Sequence, residues 1–146
     1  MKNKAQSGII SPLIVFGLIM LAIIIILILS ANVGYSIKIS DPEIPKGVDI
    51  TLSYSIENGL LLDSINNIEF TYSIHDENNN ILLKDNISLR SIGPRSTYKN
   101  SIILDTSGLD RGEYTIWTSI DYYIGEGGQG IGNREAKHLS LKLTIY

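Results

Sequence analysis

From Ile9 to Leu29 the chain carries no charged side chain, and only Ser11, Pro12 and Gly17 interrupt an otherwise apolar run. At about 1.5 Å per residue, a helix over this run reaches roughly 31 Å, the thickness of a bilayer's hydrocarbon core. The competing reading is a buried core helix. A run this long and uniform leaves no polar face for water, which disfavours it. The Ile-rich stretch Leu21–Leu29 is a mediocre helix former in water. In lipid the backbone must satisfy its own hydrogen bonds, and helix is the state left to one isolated segment. Ser11-Pro12 reads as N-cap and first helical residue, where proline's missing N–H costs nothing. The spacing predicts a helix from about Pro12 to about Ser30.

Charge gives the helix a direction. Lys2 and Lys4 precede it, and no Lys or Arg follows until Lys38. The positive-inside bias places the N-terminus in the cytoplasm and the rest of the chain outside. All acidic residues follow the helix, so the downstream part carries 10 Lys+Arg against 15 Asp+Glu, a formal charge of −5 within a total of −3. Nucleic-acid binding needs a basic face to neutralise phosphates, and this balance argues against it. With no cysteine among 146 residues, disulfides, thiolate metal sites and a cysteine nucleophile are excluded together.

The residues on either side of Gln6 carry a resemblance. Lys4-Ala5-Gln6-Ser7 resembles the class III signal of archaeal type IV pilin-like proteins, and Ser7-Gly8-Ile9-Ile10-Ser11-Pro12-Leu13-Ile14 is similar to the start of many archaeal pilins. The likeness covers about 25 residues and implies processing at Lys4, Ala5 and Gln6, with the cut between Ala5 and Gln6. The glutamate that many type IV pilins carry at the fifth mature position is here Ile10. In this family the processed helix packs with its copies in a filament core while the C-terminal domain coats the outside.

From Tyr35 onward the pattern changes to alternation, the period of half-buried strands. Ile37/Ile39, Ile50–Ile56, Ile68–Ile74, Ile81/Leu83, Ile87/Leu89, Ile102/Leu104, Tyr114–Tyr122 and Leu139–Ile145 supply the apolar phases. Asp41-Pro42, Pro45-Lys46-Gly47, Asp76–Asn80 and Gly93-Pro94 supply turns between them. The expected fold is all-β: an antiparallel sandwich of about seven strands, preceded by one long N-terminal hydrophobic transmembrane helix. Asp110-Arg111-Gly112-Glu113-Tyr114 fits D-x-G-x-Y, the tyrosine-corner sequence of immunoglobulin-like sandwiches, and resembles it at Asp110, Gly112 and Tyr114. Trp117 falls on the opposite strand face from Tyr114 and Ile116, as a surface or interface residue.

Several motifs match formally and fail in context. Gly125–Gly130 fits G-x-G-x-x-G, but a strand-like segment follows where a dinucleotide site needs a helix. Asp76-x-Asn78-x-Asn80 opens like a calcium loop, yet the sixth and twelfth positions are Ile81 and Ile87. His75 and His138, the two histidines, have no ligand spacing around them and are read as strand-end surface residues. Leu60-Leu61-Leu62 either tucks over an open end of the sandwich or forms an exposed patch. Asn86-Ile87-Ser88 is the one glycosylation sequon, with Asn86 its acceptor. No nucleophile or acid/base constellation is recognisable, so neither an enzyme nor any cofactor or metal site is expected.

These readings divide the chain into a class III leader (1–5), a transmembrane, pilin-like helix (6–31) and an extracytoplasmic β-sandwich (32–146). They lead to two expectations of function. One is a pilin-like subunit or minor component of a surface filament, self-associating through its helix. The other is a permanently anchored exterior binding module, held by membrane lipid and docking to the surface layer or an envelope protein, on the plan of archaellum stator proteins.

Overall fold

The computed structural model describes residues 12–29, 31–125 and 133–146. The chain divides into two compact units that part between Ala31 and Asn32. The first contains helix α1, described over Pro12–Leu29; Ser11, read as its N-cap, lies outside the described residues. Every side chain from Pro12 to Ile28 is exposed. Among the described residues no helix is long and apolar enough to cross a membrane. The expected long helix is described only as this shorter one of 18 residues, about 27 Å. The apolar run's first residues, Ile9 and Ile10, lie outside the described residues, as do Lys4, Ala5 and Gln6 of the leader.

The second unit is a β-sandwich. Its strands are β1 (Val33–Ile39), β2 (Glu43–Ile44), β3 (Ile50–Asn58), β4 (Ile65–His75), β5 (Ile81–Ile92), β6 (Ser96–Leu104), β7 (Gly112–Ile124) and β8 (Asn133–Ile145). A small sheet has the order β1-β3-β6, and a large one the order β2-β8-β7-β4-β5. All pairings are antiparallel except β2 with β8. The described strands number eight rather than about seven. The two-residue β2, just past the Asp41-Pro42 turn, is too short to leave a periodic signal. The pieces around Ile81 and Ile87 also join into the single strand β5, because their polar interruption Lys84-Asp85-Asn86 pairs along β4 without a break.

The alternation read from the sequence is the layering of the sandwich. On β3, Ile50, Leu52, Tyr54 and Ile56 are buried while Thr51, Ser53 and Ser55 are less so. On β7, Tyr114, Ile116, Thr118, Ile120 and Tyr122 are buried. Side chains at alternate positions meet between the sheets because successive Cβ atoms point to opposite faces. At the centre, Tyr54 of the small sheet stacks on Phe70 of the large one, with ring centroids 3.9 Å apart and planes 6° from parallel. Tyr35 meets Phe70 edge-on. Burial pushes the Tyr35 phenol up to about 12, with the Thr118 side chain offsetting part of the shift. Burial, then the neighbouring Glu135 carboxylate, also raises the Tyr122 phenol.

Polar groups close the ends. Fully buried Asn58 shares its side-chain amide among the carbonyls of Asp63, Ile92 and Gly93 at 2.9–3.0 Å, and its Oδ1 accepts from the Leu60 N–H. These bonds fix the Leu60–Leu62 loop, in which Leu60 packs on the core and Leu62 is 88% exposed. The three leucines therefore split between tucked and exposed. At the other end the Tyr114 hydroxyl donates to the Asp110 carbonyl at 2.8 Å, spanning the turn before β7. Asp110 itself pairs through its carboxylate with Lys46 at 2.8 Å.

Candidate functional site

The sites that sequence motifs suggested come apart in the fold. Asp76, the would-be calcium ligand, spends its carboxylate on its own turn. Oδ1 accepts from the N–H groups of Asn78 (2.9 Å) and Asn80 (2.8 Å), and Oδ2 accepts from the Asn80 amide at 2.8 Å. These hydrogen bonds, the Asn80 side chain's foremost, hold its carboxyl below the usual range. Asp105 and Asp110 line the same end of the sandwich as Asp76, and each is committed elsewhere, Asp105 to the Ser107 N–H of its own turn and Asp110 to Lys46. Among the described residues no group of three or more His, Asp or Glu could hold a metal. All of the G-x-G-x-x-G segment except Gly125 lies among residues 126–132, outside the described residues, and β8 is described from Asn133. Asn86 is exposed on the edge strand β5, where its amide donates to Glu69 Oε1 at 2.5 Å.

The two histidines separate. His138 stands within β8, opposite Ser119 of β7, and not at a strand end as expected. The sequence pattern blurs there because the described side chains in the first half of β8 are unburied on both phases, Lys137 and Leu139 included, and only Leu143 and Ile145 on the inner phase are buried. His75 does end β4. A register shift at Ile74/His75 and Asn79 in the left-handed region (φ 64°) shape the turn beyond it. The Asn79 side-chain oxygen lies 3.0 Å from His75 Nδ1, and Ser73 Oγ lies 2.8 Å from Nε2. With that oxygen as acceptor, Nδ1 carries the proton and Nε2 accepts from Ser73, so both ring nitrogens are fixed.

This relay leads to Trp117. The indole is 45% exposed at the middle of the large sheet's outer face, and the His75 ring lies 6.4 Å from it at 60°. Pairing registers define what surrounds it. Directly across stand Ser73 on β4 and Ser140 on β8. Two residues away along β7 on the same face are Thr115 and Ser119. The diagonal positions are His75, Thr71, Lys142 and His138. Lys142 Nζ donates to Thr115 Oγ1 at 3.1 Å. Thus one aromatic ring sits in a collar of hydroxyls and nitrogens that contains neither an aliphatic side chain nor a carboxylate. Ring centre and polar rim together make an amphipathic platform of the kind that binding sites use.

The small sheet presents a different outer face. A shallow depression there is lined by Ser36, Lys38, Ser53, Ser55, Lys99 and Ser101, with the Ser53 and Ser101 hydroxyls 2.9 Å apart. Tyr54 also borders it, but that residue is buried with its ring stacked on Phe70 in the core, so this face exposes no aromatic plane. Sequence reasoning placed Trp117 on the polar phase of β7 but left out its collar, because the collar is assembled from β4 and β8, which are far apart in the chain.

No protein-family profile matches the chain, and no curated protein matches it. Solved structures share its fold. The C-terminal domain of Wzt matches with a TM-score of 0.57 at 12% identity, covering 80% of this chain and 75% of that one. The CARDB domain of a Pyrococcus furiosus protein, solved in complex with di-metal ions, matches with a TM-score of 0.51 at 12% identity over 79% and 93% of the two chains. The putative ApaA protein of Bordetella pertussis matches with a TM-score of 0.52 at 10% identity over 79% and 94%. At these identities the likeness is one of fold alone.

Proposed function

We propose that this chain is a single-pass surface protein of archaeal type IV pilin-like plan, with an immunoglobulin-like sandwich displayed outside the cell on a hydrophobic N-terminal helix. The observation that carries the reading is α1: a helix apolar on every side, with all its described side chains exposed. Such a surface in water far exceeds the apolar patches that soluble monomers tolerate, so it calls for lipid or for copies of itself. The apolar run of the sequence extends beyond the described helix to Ile9, and over its whole length it suffices for a membrane span. The buried core of the sandwich is made among the described residues of the second unit, from Val33 to Ile145. The immunoglobulin-like assignment is supported by the strand order of the two sheets and by the Tyr114–Asp110 bond across the turn before β7.

The Lys4-Ala5-Gln6-Ser7 segment supports the filament form of this reading. In that form the helix leaves the bilayer after processing and packs with its copies. A permanently anchored binding module is the second reading, and the Trp117 face favours it, since a recognition surface is what a fixed binding module requires, whereas a filament subunit can do without one. N-terminal sequencing and intact mass of the native protein, from membranes and from sheared filaments, separate the two. A chain starting at Gln6 in the filament fraction is the expected result. A chain starting at Met1 and confined to membranes overturns the filament form and leaves the fixed module. Recovery in neither fraction overturns both.

A further inference from the structure

We infer that the Trp117 face of the large sheet is a carbohydrate-binding site that stacks one pyranose ring of an oligosaccharide on the indole. A pyranose has two chemical surfaces: a face of C–H groups and a rim of hydroxyls. The face seeks an exposed aromatic plane, and the rim seeks side chains that both donate and accept hydrogen bonds. Trp117 supplies the plane. The rim supplies the second requirement on every side, through Ser73 and Ser140 across the strands, Thr115 and Ser119 along β7, and His75 at the corner.

The collar is also preorganised. With Asn79 Oδ1 as the acceptor from Nδ1, Ser73 directs its proton to His75 Nε2, and its oxygen is left free to accept from a sugar hydroxyl. His75 cannot turn away, since Asn79 holds its other nitrogen. Asn79 is set in turn by the Asp76–Asn80 hairpin tip, whose bonds are local and do not depend on a ligand. Fixed donors and acceptors lower the ordering cost of binding a flexible glycan.

Size disfavours the main competitor, a protein partner centred on the same ring. A tryptophan side chain offers 150–250 Å² in all, so an indole 45% exposed presents on the order of 100 Å² of apolar surface. A specific protein interface needs about 800 Å² from each partner, with an apolar centre. Around Trp117 the next residues in every direction on the sheet are polar. One sugar ring, by contrast, matches one indole.

The inference rests on the reading of the sandwich as an exterior module, and one preparation tests the two separately. Trp117 is the sole tryptophan of the chain, so its emission reports on the site alone. The full chain is reconstituted in phosphatidylcholine nanodiscs, free of sugar-headed detergent, and titrated with cellohexaose, N-acetylated chitohexaose and hexagalacturonate. A saturable change in emission with at least one of them is expected, with a dissociation constant between about 0.1 and 5 mM, as one stacked ring and a few hydrogen bonds provide. Ser73→Ala should weaken that binding roughly fivefold or more without altering the free protein's emission maximum, as expected from the loss of one polar contact. Trp117→Ala should abolish the calorimetric binding signal while the β-sheet circular dichroism spectrum stays unchanged. No saturable change with any of the three up to about 10 mM overturns the inference, as does full calorimetric binding by the Trp117→Ala variant. A chain that binds the sugar but does not co-elute with the nanodiscs removes the membrane anchor and leaves the site standing. A chain that co-elutes and binds none does the reverse.

Discussion

Strand β7 has two faces that differ in everything except their backbone. Its inner face, Tyr114 to Tyr122 at every second residue, is buried throughout and runs from the Asp110 turn across the middle of the core. Its outer face carries Thr115, Trp117 and Ser119, with the one large apolar group ringed by polar ones. The inner face shows ordinary core economy, in which buried area and a few satisfied hydroxyls stabilise the fold. The outer face leaves a bulky ring in water, which contributes little to folding. A single exposed ring is ordinary on a protein surface; what points to recognition is the polar collar built around it from three strands.

The contrast is best broken from the inside. Ile116 is wholly buried at the centre of the strand, and Ile116→Ala should cost about 2–5 kcal/mol through lost transfer energy and the cavity left behind. Urea unfolding of the sandwich, followed by circular dichroism, reads this as a lower midpoint at unchanged slope. A cost below about 1 kcal/mol would mean that the inner face is not the core described here.

Tyr114→Phe probes the same face at its end. It keeps the ring and deletes the hydroxyl that donates to the Asp110 carbonyl, so a loss of about 1 kcal/mol is expected in the same assay. Equal stability of the two proteins would make the D-x-G-x-Y turn a mere sequence coincidence. Trp117→Ala should give the smallest change, within about 0.5 kcal/mol, as for surface substitutions away from packed features. A loss comparable to that of Ile116→Ala would place the indole in the architecture and take away the reason to regard its face as a site.

Much of the architecture was legible before any coordinates. The strands of the two long hydrophobic alternations, Ile50–Ile56 and Tyr114–Tyr122, stand where the period-two pattern puts them, since pleating alone dictates which side chains share a face. The helical state of the apolar run is likewise described, over Pro12–Leu29, while Ser11, read as its N-cap, lies outside the described residues. Other features were hidden. The strand β2 is too short to have a period. The Leu60–Leu62 run splits between core and solvent because Asn58 pins one end of the loop, and hydrophobicity carries no record of that bond. His138 lies within a strand because β8 is described from Asn133, whereas the sequence reads as strand-like from His138 onward, where the aliphatic alternation starts.

For the candidate site the division is sharper still. The sequence by itself determined that a lone tryptophan would stand on the solvent phase of a strand, because side-chain alternation is a local property of extended backbone. It also determined an apolar segment with no polar side, from composition alone. Only the tertiary structure decided what surrounds the tryptophan. Ser73 lies 44 positions before it and Ser140 lies 23 after it, yet both stand directly across from it in the sheet. Sheet neighbours are chosen by strand order and register, which are set by core packing and loop lengths over the whole domain. Strand pattern is a short-range property and reads directly from the chain. A site built across three strands is a long-range one and exists only once the sheet has closed.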